Sequence, residues 1–291
     1  MHKTCAINIR PEDKDSIAYI IKIIKHLKNK GIQILLPDYQ IIKDANLTEY
    51  IVAQDKFVSQ PDIVISIGGD GTLLHTARLF AGTSSPIFGI NKGRLGFLTE
   101  FMPDEALEYL NKIINEEYEK TERDMLELVH VRNNKEIAKI SLLNDVAISR
   151  GTFSRPITIH LEIDDKFLNT FSGDGIIVST STGSTAYSLS AGGPIITPTI
   201  KGILLIMPIC PHTLATRPLI IPGSSKLKVT IDSKFDNTIM TIDGHESINI
   251  AGNDKIYFSG TGKKAVLIAH PERNFYEILK EKFKWGGNAI T

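Results

Sequence analysis

An α/β N-terminal domain with a Rossmann-like parallel sheet, followed by a β-rich C-terminal domain, is predicted by three observations. Strand-like and helix-like periodicities alternate over the first 120 residues. Short period-two runs replace them from about Glu122. A glycine turn, Gly68-Gly69-Asp70-Gly71-Thr72, closes an apolar strand just before a helical stretch. At roughly 100–200 residues per domain, the 291 residues have length for two cores.

The elements follow in order. Ala6–Ile9 reads as a strand, and Ile17, Ile20, Ile21, Ile24 and Leu27 fall at helical spacing before Gly31. Ile32–Leu36 and Asp62–Ile67 read as buried strands, Leu73–Leu79 as a helix, Pro86–Ile90 as a strand and Asp104–Ile114 as a helix. The order βαβ…βαβα argues for a doubly wound sheet. Further on, Glu127–Val131, Ile157–Ile163, Lys226–Ile231, Ile239–Ile242 and Ala265–Ile268 alternate as strands do. Asp164-Asp165-Lys166 and Gly260-Thr261-Gly262-Lys263 read as hairpin turns, and a helix is expected around Ala186–Ser190. Phe275, Ile278, Leu279 and Phe283 return to helical spacing. The expected division is therefore 1–120 and 121–271, with the helical tail 272–291 packing back on the first domain.

Composition excludes several classes. Hydrophobic residues at 42% and charged residues at 23% are those of a folding globular chain, not a disordered one. The 33 basic and 33 acidic residues cancel, so no global field favours nucleic acid or an anionic membrane, and any anion must be held locally. Cys5 and Cys210 are too few for a disulfide framework or a tetrahedral zinc site and suit a reducing cytoplasm. The longest apolar run, Ile203–Cys210, falls far short of the roughly 20 residues of a membrane helix.

Four segments carry chemistry. In the first glycine turn, Gly68, Gly69, Gly71 and Thr72 let backbone N–H groups approach phosphate oxygens at a helix N-terminus. Asp70 is placed to accept a proton or to help position a divalent metal. The same residues also suit a plain Asp-Gly helix cap. Second, Gly173–Pro194 crowds hydroxyls and glycines behind an apolar strand, which suits ribose, phosphate and base edges, and Tyr187 offers a stacking ring. Third, Asn144-Asp145 interrupts an apolar stretch, where unpaired polar groups cost free energy, so a ligand or a turn is expected to meet them. Fourth, Thr241–Glu246 is an apolar strand ending in polar groups, read as a hairpin. Gly260-x-Gly262-x-x-Ala265 mimics a dinucleotide fingerprint but runs into a strand, not a helix.

Taken together, Gly68–Thr72, Asn91–Thr99, Asn144-Asp145, Thr182–Pro194 and Pro211–Pro218 resemble the NAD kinase family over most of the chain. The Gly-Gly-Asp-Gly turn is shared with phosphofructokinases and lipid kinases, whereas the Thr182–Pro194 run is specific. The resemblance implies phosphoryl transfer from ATP or polyphosphate to the 2′-hydroxyl of the adenosine ribose of NAD, with Mg²⁺ accompanying the donor. It implies Asp70 as the base with Gly71 beside it, and NAD contacts from Asn144, Asp145, Thr185, Ala186, Tyr187, Ser188 and Ser190. It places Asp174 towards the nicotinamide, and has Ser172, His75, Arg155 and His245 lining the site. Three departures stand out: Asp145 replaces a Glu, Ser172 stands where members often carry Arg, and Ser181 replaces a Pro, for which a looser turn is expected. Relatives are homodimers or homotetramers, and the resemblance suggests that Pro211-His212-Thr213 of a neighbouring subunit completes the NAD site. Two other readings share these residues: a lipid or sphingoid-base kinase, which needs a broad apolar entrance, and a non-catalytic NAD(P) sensor.

Overall fold

The computed structural model describes residues 3–93, 95–151, 155–232 and 238–285, and its chain divides into two compact units, residues 1–122 with 265–291 and residues 123–264. Arg94, within the Asn91–Thr99 motif, and residues 286–291 of the expected helical tail lie outside the described residues.

The first unit opens with β1 (Thr4–Asn8), α1 (Ile17–Asn29) and β2 (Gln33–Leu35). Two short helices follow, α2 (Gln40–Asp44) and α3 (Gln54–Ser59), then β3 (Ile63–Gly68), α4 (Asp70–Leu79), β4 (Ile87–Asn91) and α5 (Pro103–Ile114). On α1 the buried face is Ile20, Ile23, Ile24 and Leu27, the spacing of an amphipathic helix. Pro103 starts α5, and the Glu105 carboxylate accepts from Met102 N at 2.8 Å, satisfying a donor the helix end would otherwise leave open.

The strands run in the order β2-β1-β3-β4, all parallel, with Ile7 opposite Ile65 and Ile65 opposite Phe88. Because β1 pairs with β2 on one side and β3 on the other, the order reverses between β1 and β3. Their carboxyl ends, Asn8 and Gly68, flank that switch point, where open α/β sheets bind ligands. Ile7, Ile65, Phe88 and Ile90 build the core with Leu110 and Ile113 of α5.

The second unit contains β5 (Lys120–Arg132), β6 (Lys135–Leu142), β7 (Asp145–Arg150), β8 (Ile157–Ile163), β9 (Lys166–Gly173) and β10 (Gly175–Ser179). After α6 (Tyr187–Ser190) come β11 (Ile203–Ile209), β12 (Leu219–Pro222), β13 (Leu227–Asp232), β14 (Thr238–Ile242), β15 (Glu246–Ile250) and β16 (Lys255–Ile268). One antiparallel sheet has the order β12-β11-β10-β7-β14-β15; in the other β16, β13, β8 and β9 are neighbours, with β5 on β16 and β6 on β5. Strand β10 is buried along its whole length because Ile176 and Val178 enter the main core while Ile177 packs on the other face with Ala147 and Met207. That two-sided burial explains its unbroken apolar run. Asp164 and Asp165 form the expected β8–β9 turn, with φ 50° and 61°. In the first unit, the last residues of β16 lie parallel to β4, Leu267 opposite Ile87, and α7 (Phe275–Phe283) is capped by the Asn274 side chain.

Two expectations are corrected. Gly260–Lys263 is no hairpin turn but lies inside β16. Its glycine serves a close backbone approach, since Gly260 N donates to Gly223 O at 2.8 Å and a Cβ would stand 3.0 Å from that oxygen. Nor is the turn at Ser181 loose. Ser181 takes φ −59°, the value a proline ring imposes, and its carbonyl accepts from Ser184 N and Oγ at 3.3 and 2.7 Å. Among the described residues no helix is long and apolar enough to cross a membrane.

Candidate functional site

In the first unit the β3–α4 turn is shaped by Gly68, at φ 153°, where a Cβ would stand 2.2 Å from Thr72 Oγ1. Only glycine lets the strand turn so sharply into the helix. Asp70 is the first residue of α4, half-buried at the dipole's positive end, and Thr72 N donates to Gly69 O at 2.9 Å to close the first turn.

The Asp70 carboxylate does not hang free. Oδ1 accepts from Leu98 N at 3.2 Å, Thr99 N at 3.0 Å and Thr99 Oγ1 at 2.9 Å, and Oδ2 accepts from Phe97 N at 2.8 Å. A Cβ on Gly96 would come within 1.9 Å of Oδ1, so the loop after β4 wraps the carboxylate at backbone distance. Of the roughly four lone-pair positions on a carboxylate, those left open belong to Oδ2. The loop is itself held, for Asn91 Nδ2 donates to Thr99 Oγ1 at 2.7 Å and Gly93 N to Asn91 Oδ1 at 2.8 Å. The ring of Phe97 packs on α7, its centroid 6.3 Å from those of Phe275 and Phe283, with Lys282 Nζ 5.1 Å above it.

In the second unit a separate cluster forms where β7 begins and β10 and β14 end, because both of those strands run antiparallel to β7. Asp145 stands opposite Ser179, and Val146 opposite Ile242. After β14, Asp243 accepts from Asn144 N at 2.9 Å and Asp145 N at 3.3 Å, and its own N–H donates to Asp145 O at 2.9 Å. Thr180 Oγ1 donates to Leu143 O at 2.6 Å, and Thr180 N to Asn144 O at 2.9 Å. Gly183 lies flat against this backbone, where a Cβ would stand 2.2 Å from Asn144 O.

Asp145 is buried, and its pKa is pushed up to about 7, first by burial and then by the nearby Asp243 charge, against a bond from Tyr187 N at 3.3 Å. Around it three buried side-chain atoms, Asn144 Oδ1, Thr182 Oγ1 and Ser188 Oγ, make no hydrogen bond within the protein. Such atoms cost free energy unless a ligand or water meets them. Thr185 and Ala186 are half-buried beside them, while the Tyr187 ring, Ser190 and His245 are exposed.

The structure thus brings Asn144, Asp145, Thr185–Ser190 and His245 to one end of the β7–β10 pair. Ser172 and Asp174 are at the other end, about 17 Å away at the usual rise per strand residue. There Arg150 Nε donates to Asp174 Oδ1 at 2.6 Å, Ser172 Oγ is 3.2 Å from Thr158 Oγ1, and His212 N donates to Ser172 O. Arg155 is exposed. In the first unit His75 lines a cavity of about 590 Å³ with Tyr39, Gln54 and Leu79.

Sequence reading missed two things. The wrapping of Asp70 by Gly96–Thr99 was signalled only by the glycine in Asn91–Thr99, and Asp243 passed as a hairpin end although its carboxylate organises Asn144 and Asp145. Among the described residues no group of three or more His, Cys, Asp or Glu is placed to hold a metal ion.

A family model described as ATP-NAD kinase N-terminal domain matches residues 6–118, and one described as ATP-NAD kinase C-terminal domain matches residues 143–270. The NAD kinase of Geotalea daltonii is 36% identical over 284 residues, covering 98% of this chain and 99% of that protein. The NAD kinase of Trichlorobacter lovleyi is 41% identical over 226 residues, 77% of this chain and 79% of that one. Among solved structures, yeast NADH kinase complexed with NADH has a TM-score of 0.88 at 26% identity, covering 99% of this chain and 89% of that one.

Proposed function

The chain belongs to the NAD kinase family, and from that premise we propose that it transfers a phosphoryl group from ATP, or from polyphosphate, to the 2′-hydroxyl of the adenosine ribose of NAD, forming NADP. The observation that carries the reading is the Asp70 carboxylate, fixed by four donors at a helix N-terminus with open lone-pair positions on Oδ2. The 2′-hydroxyl oxygen attacks the γ-phosphorus and gives its proton to Asp70 Oδ2. The bond from that phosphorus to the β,γ-bridging oxygen breaks, and ADP leaves. General-base help of this kind is worth about 10²–10⁴ in rate, and phosphoryl transfer otherwise asks mainly for alignment and charge stabilisation.

The phosphates are assigned to Gly68, Gly69, Gly71 and Thr72 at the start of α4, whose N–H groups and dipole favour anions. A divalent cation, Mg²⁺ by preference, enters only as part of the ATP substrate, held mainly by its phosphates. NAD is assigned to Asn144, Asp145, Thr185, Ala186, Tyr187, Ser188, Ser190 and His245, supported by the three unpartnered buried atoms. An Asp145 neutral below about pH 7 can donate as well as accept, which suits a ribose hydroxyl.

Ser172, Asp174 and Arg155 belong, in this reading, to the nicotinamide side. Their distance from Asn144 along β10 is accounted for when a second copy of the chain supplies them, so a homodimer or homotetramer is our expectation. Exposed Leu214 and Ile220 support such an interface. The free thiols Cys5 and Cys210 suit a reducing cytoplasm.

The test is incubation with NAD, ATP and Mg²⁺ and measurement of NADP with an NADP-specific dehydrogenase. NADP formation supports the kinase. NAD binding with no NADP, polyphosphate also tried, points to a sensor, and no NAD binding points to a lipid-type acceptor.

A further inference from the structure

A cavity of about 410 Å³ lies wholly within the second unit, and the proposed reaction makes no use of it. That volume falls in the usual range for small-molecule sites, roughly 300–1,000 Å³. It forms where β11 begins and β12 ends, for Ile203 stands opposite Pro222, and it is closed by β5 and by the 260–264 stretch of β16.

Main chain builds much of its wall. Gly202, Gly223 and Gly260 line it without side chains, and hydrogen bonds join them in series: Gly223 N donates to Gly202 O at 2.7 Å, and Gly260 N to Gly223 O at 2.8 Å. Gly202 N donates in turn to Asp124 Oδ2 at 2.5 Å, which ties the series to β5. The opening is therefore set by paired backbone and not by side-chain rotamers.

Its charge is the chemical signal. The chain as a whole is neutral, yet the ammonium groups of Lys201, Lys263 and Lys264 line this cavity against one carboxylate, Asp124. Asp124 is paired with Lys264. Burial raises its pKa, but the bonds from Lys264 and Gly202 N and the charges of Lys264 and Lys201 hold it below the ordinary value. Lys263 has no such counter-charge, for its Nζ meets the Ser141 hydroxyl at 3.4 Å and no carboxylate among the described residues. The lining thus carries surplus positive charge, and a lysine ammonium is a point charge suited to phosphate. Met125 and Leu204 are buried and form an apolar wall with Ile203, while Ser224 brings a hydroxyl that can donate and accept.

A phosphate monoester fits both halves of this lining. Near neutral pH it carries a charge of about −1.5 to −2, more than a single carboxylate, and its carbon skeleton matches the apolar wall. We propose that this cavity binds a small organic phosphate monoester, its phosphate held by Lys201 and Lys263 and its carbon skeleton laid on Met125, Ile203 and Leu204. The assignment goes beyond the kinase reading and does not depend on it.

The experiment titrates glucose 6-phosphate, with glucose as the uncharged control, into the full chain by calorimetry, and follows lysine acylation by mass spectrometry with and without it. We expect glucose 6-phosphate alone to bind and to slow acylation of Lys263 severalfold, while Lys22, exposed on α1 in the first unit, reacts as before. Lys263→Glu and the cavity-filling Ser224→Trp are each expected to raise its Kd at least tenfold, with the NAD Kd within twofold and thermal melts showing that both variants fold. No binding of glucose 6-phosphate, equal binding of glucose, or binding that leaves Lys263 acylation unchanged overturns the proposal. So does a loss of NAD affinity equal to the loss for glucose 6-phosphate, which would make the cavity part of the NAD site. The acylation result comes from the native chain and stands even where a variant fails to fold.

Discussion

Two carboxylates sit in opposite circumstances. Asp70 in the first unit is surrounded by donors, three on Oδ1 and one on Oδ2, supplied by a neighbouring loop and added to a helix N-terminus. Asp145 in the second unit is buried near a second carboxylate, with one long bond from Tyr187 N and three unpartnered polar atoms around it. The first arrangement holds a charge in place before any substrate arrives, which is what a base in phosphoryl transfer needs. The second leaves valences open at a cost that a bound ligand can offset. Under the proposed roles, catalysis and binding are thus prepared by contrary means in one chain.

The sharpest break in that contrast is Asp70→Asn. The amide cannot take the proton, and an NH2 group at the Oδ2 position would face Phe97 N–H, donor against donor. NADP formation is expected to fall by about 10²–10⁴, while the NAD Kd by calorimetry stays within a few-fold. Unchanged turnover would remove Asp70 from the mechanism.

Two glycine substitutions compare the regions directly. Gly96→Ala drives a methyl into the Asp70 carboxylate and is expected to lower kcat at least tenfold with little effect on the KM for NAD. Gly183→Ala drives one into the Asn144 carbonyl and is expected to raise that KM at least tenfold. Steady-state kinetics with both substrates varied separates them. If the two variants show the same pattern, the division of roles is wrong.

Titration sharpens the comparison further. The folded pKa of Asp145, about 7, is above its ordinary 3.8, so the folded state holds this proton more tightly than the unfolded chain. The resulting stability is fully present below about pH 4 and is lost as pH rises through about 7. Native protein is therefore expected to lose more Tm between pH 5 and 8 than Asp145→Asn, as read by thermal melts. Equal slopes would place the titration elsewhere.

The smallest effect is expected from Phe97→Ala. Its ring anchors the Asp70-wrapping loop to α7, and such aromatic contacts are worth about 0.5–1.5 kcal/mol each beyond buried area. A several-fold loss of kcat, with a lesser loss for the milder Phe97→Leu, is the result to look for.

Much of this was legible in sequence where a pattern is local. The strand over Ile157–Ile163 and the helix of α1 appear where period two and period 3.6 put them, because side-chain direction is set by the backbone repeat alone. Legibility failed where one residue type serves two purposes. Gly260 and Gly262 look like a turn, and the structure uses Gly260 for a close strand approach; Ser181 lacks the proline ring yet keeps its φ.

By itself the sequence determined the fold class, the glycine turn at the end of a parallel strand and the family. Each is read from patterns that are local along the chain, the family from several such motifs spread over most of it. Tertiary structure alone decided which donors reach Asp70, that Asp243 organises Asn144 and Asp145, and that Ser172 and Asp174 lie far from both along β10. These depend on strand order and register, which join residues far apart along the chain, such as Asn144 and Asp243, 99 positions from each other. The free energy of such a contact belongs to the whole sheet, and no local pattern encodes it.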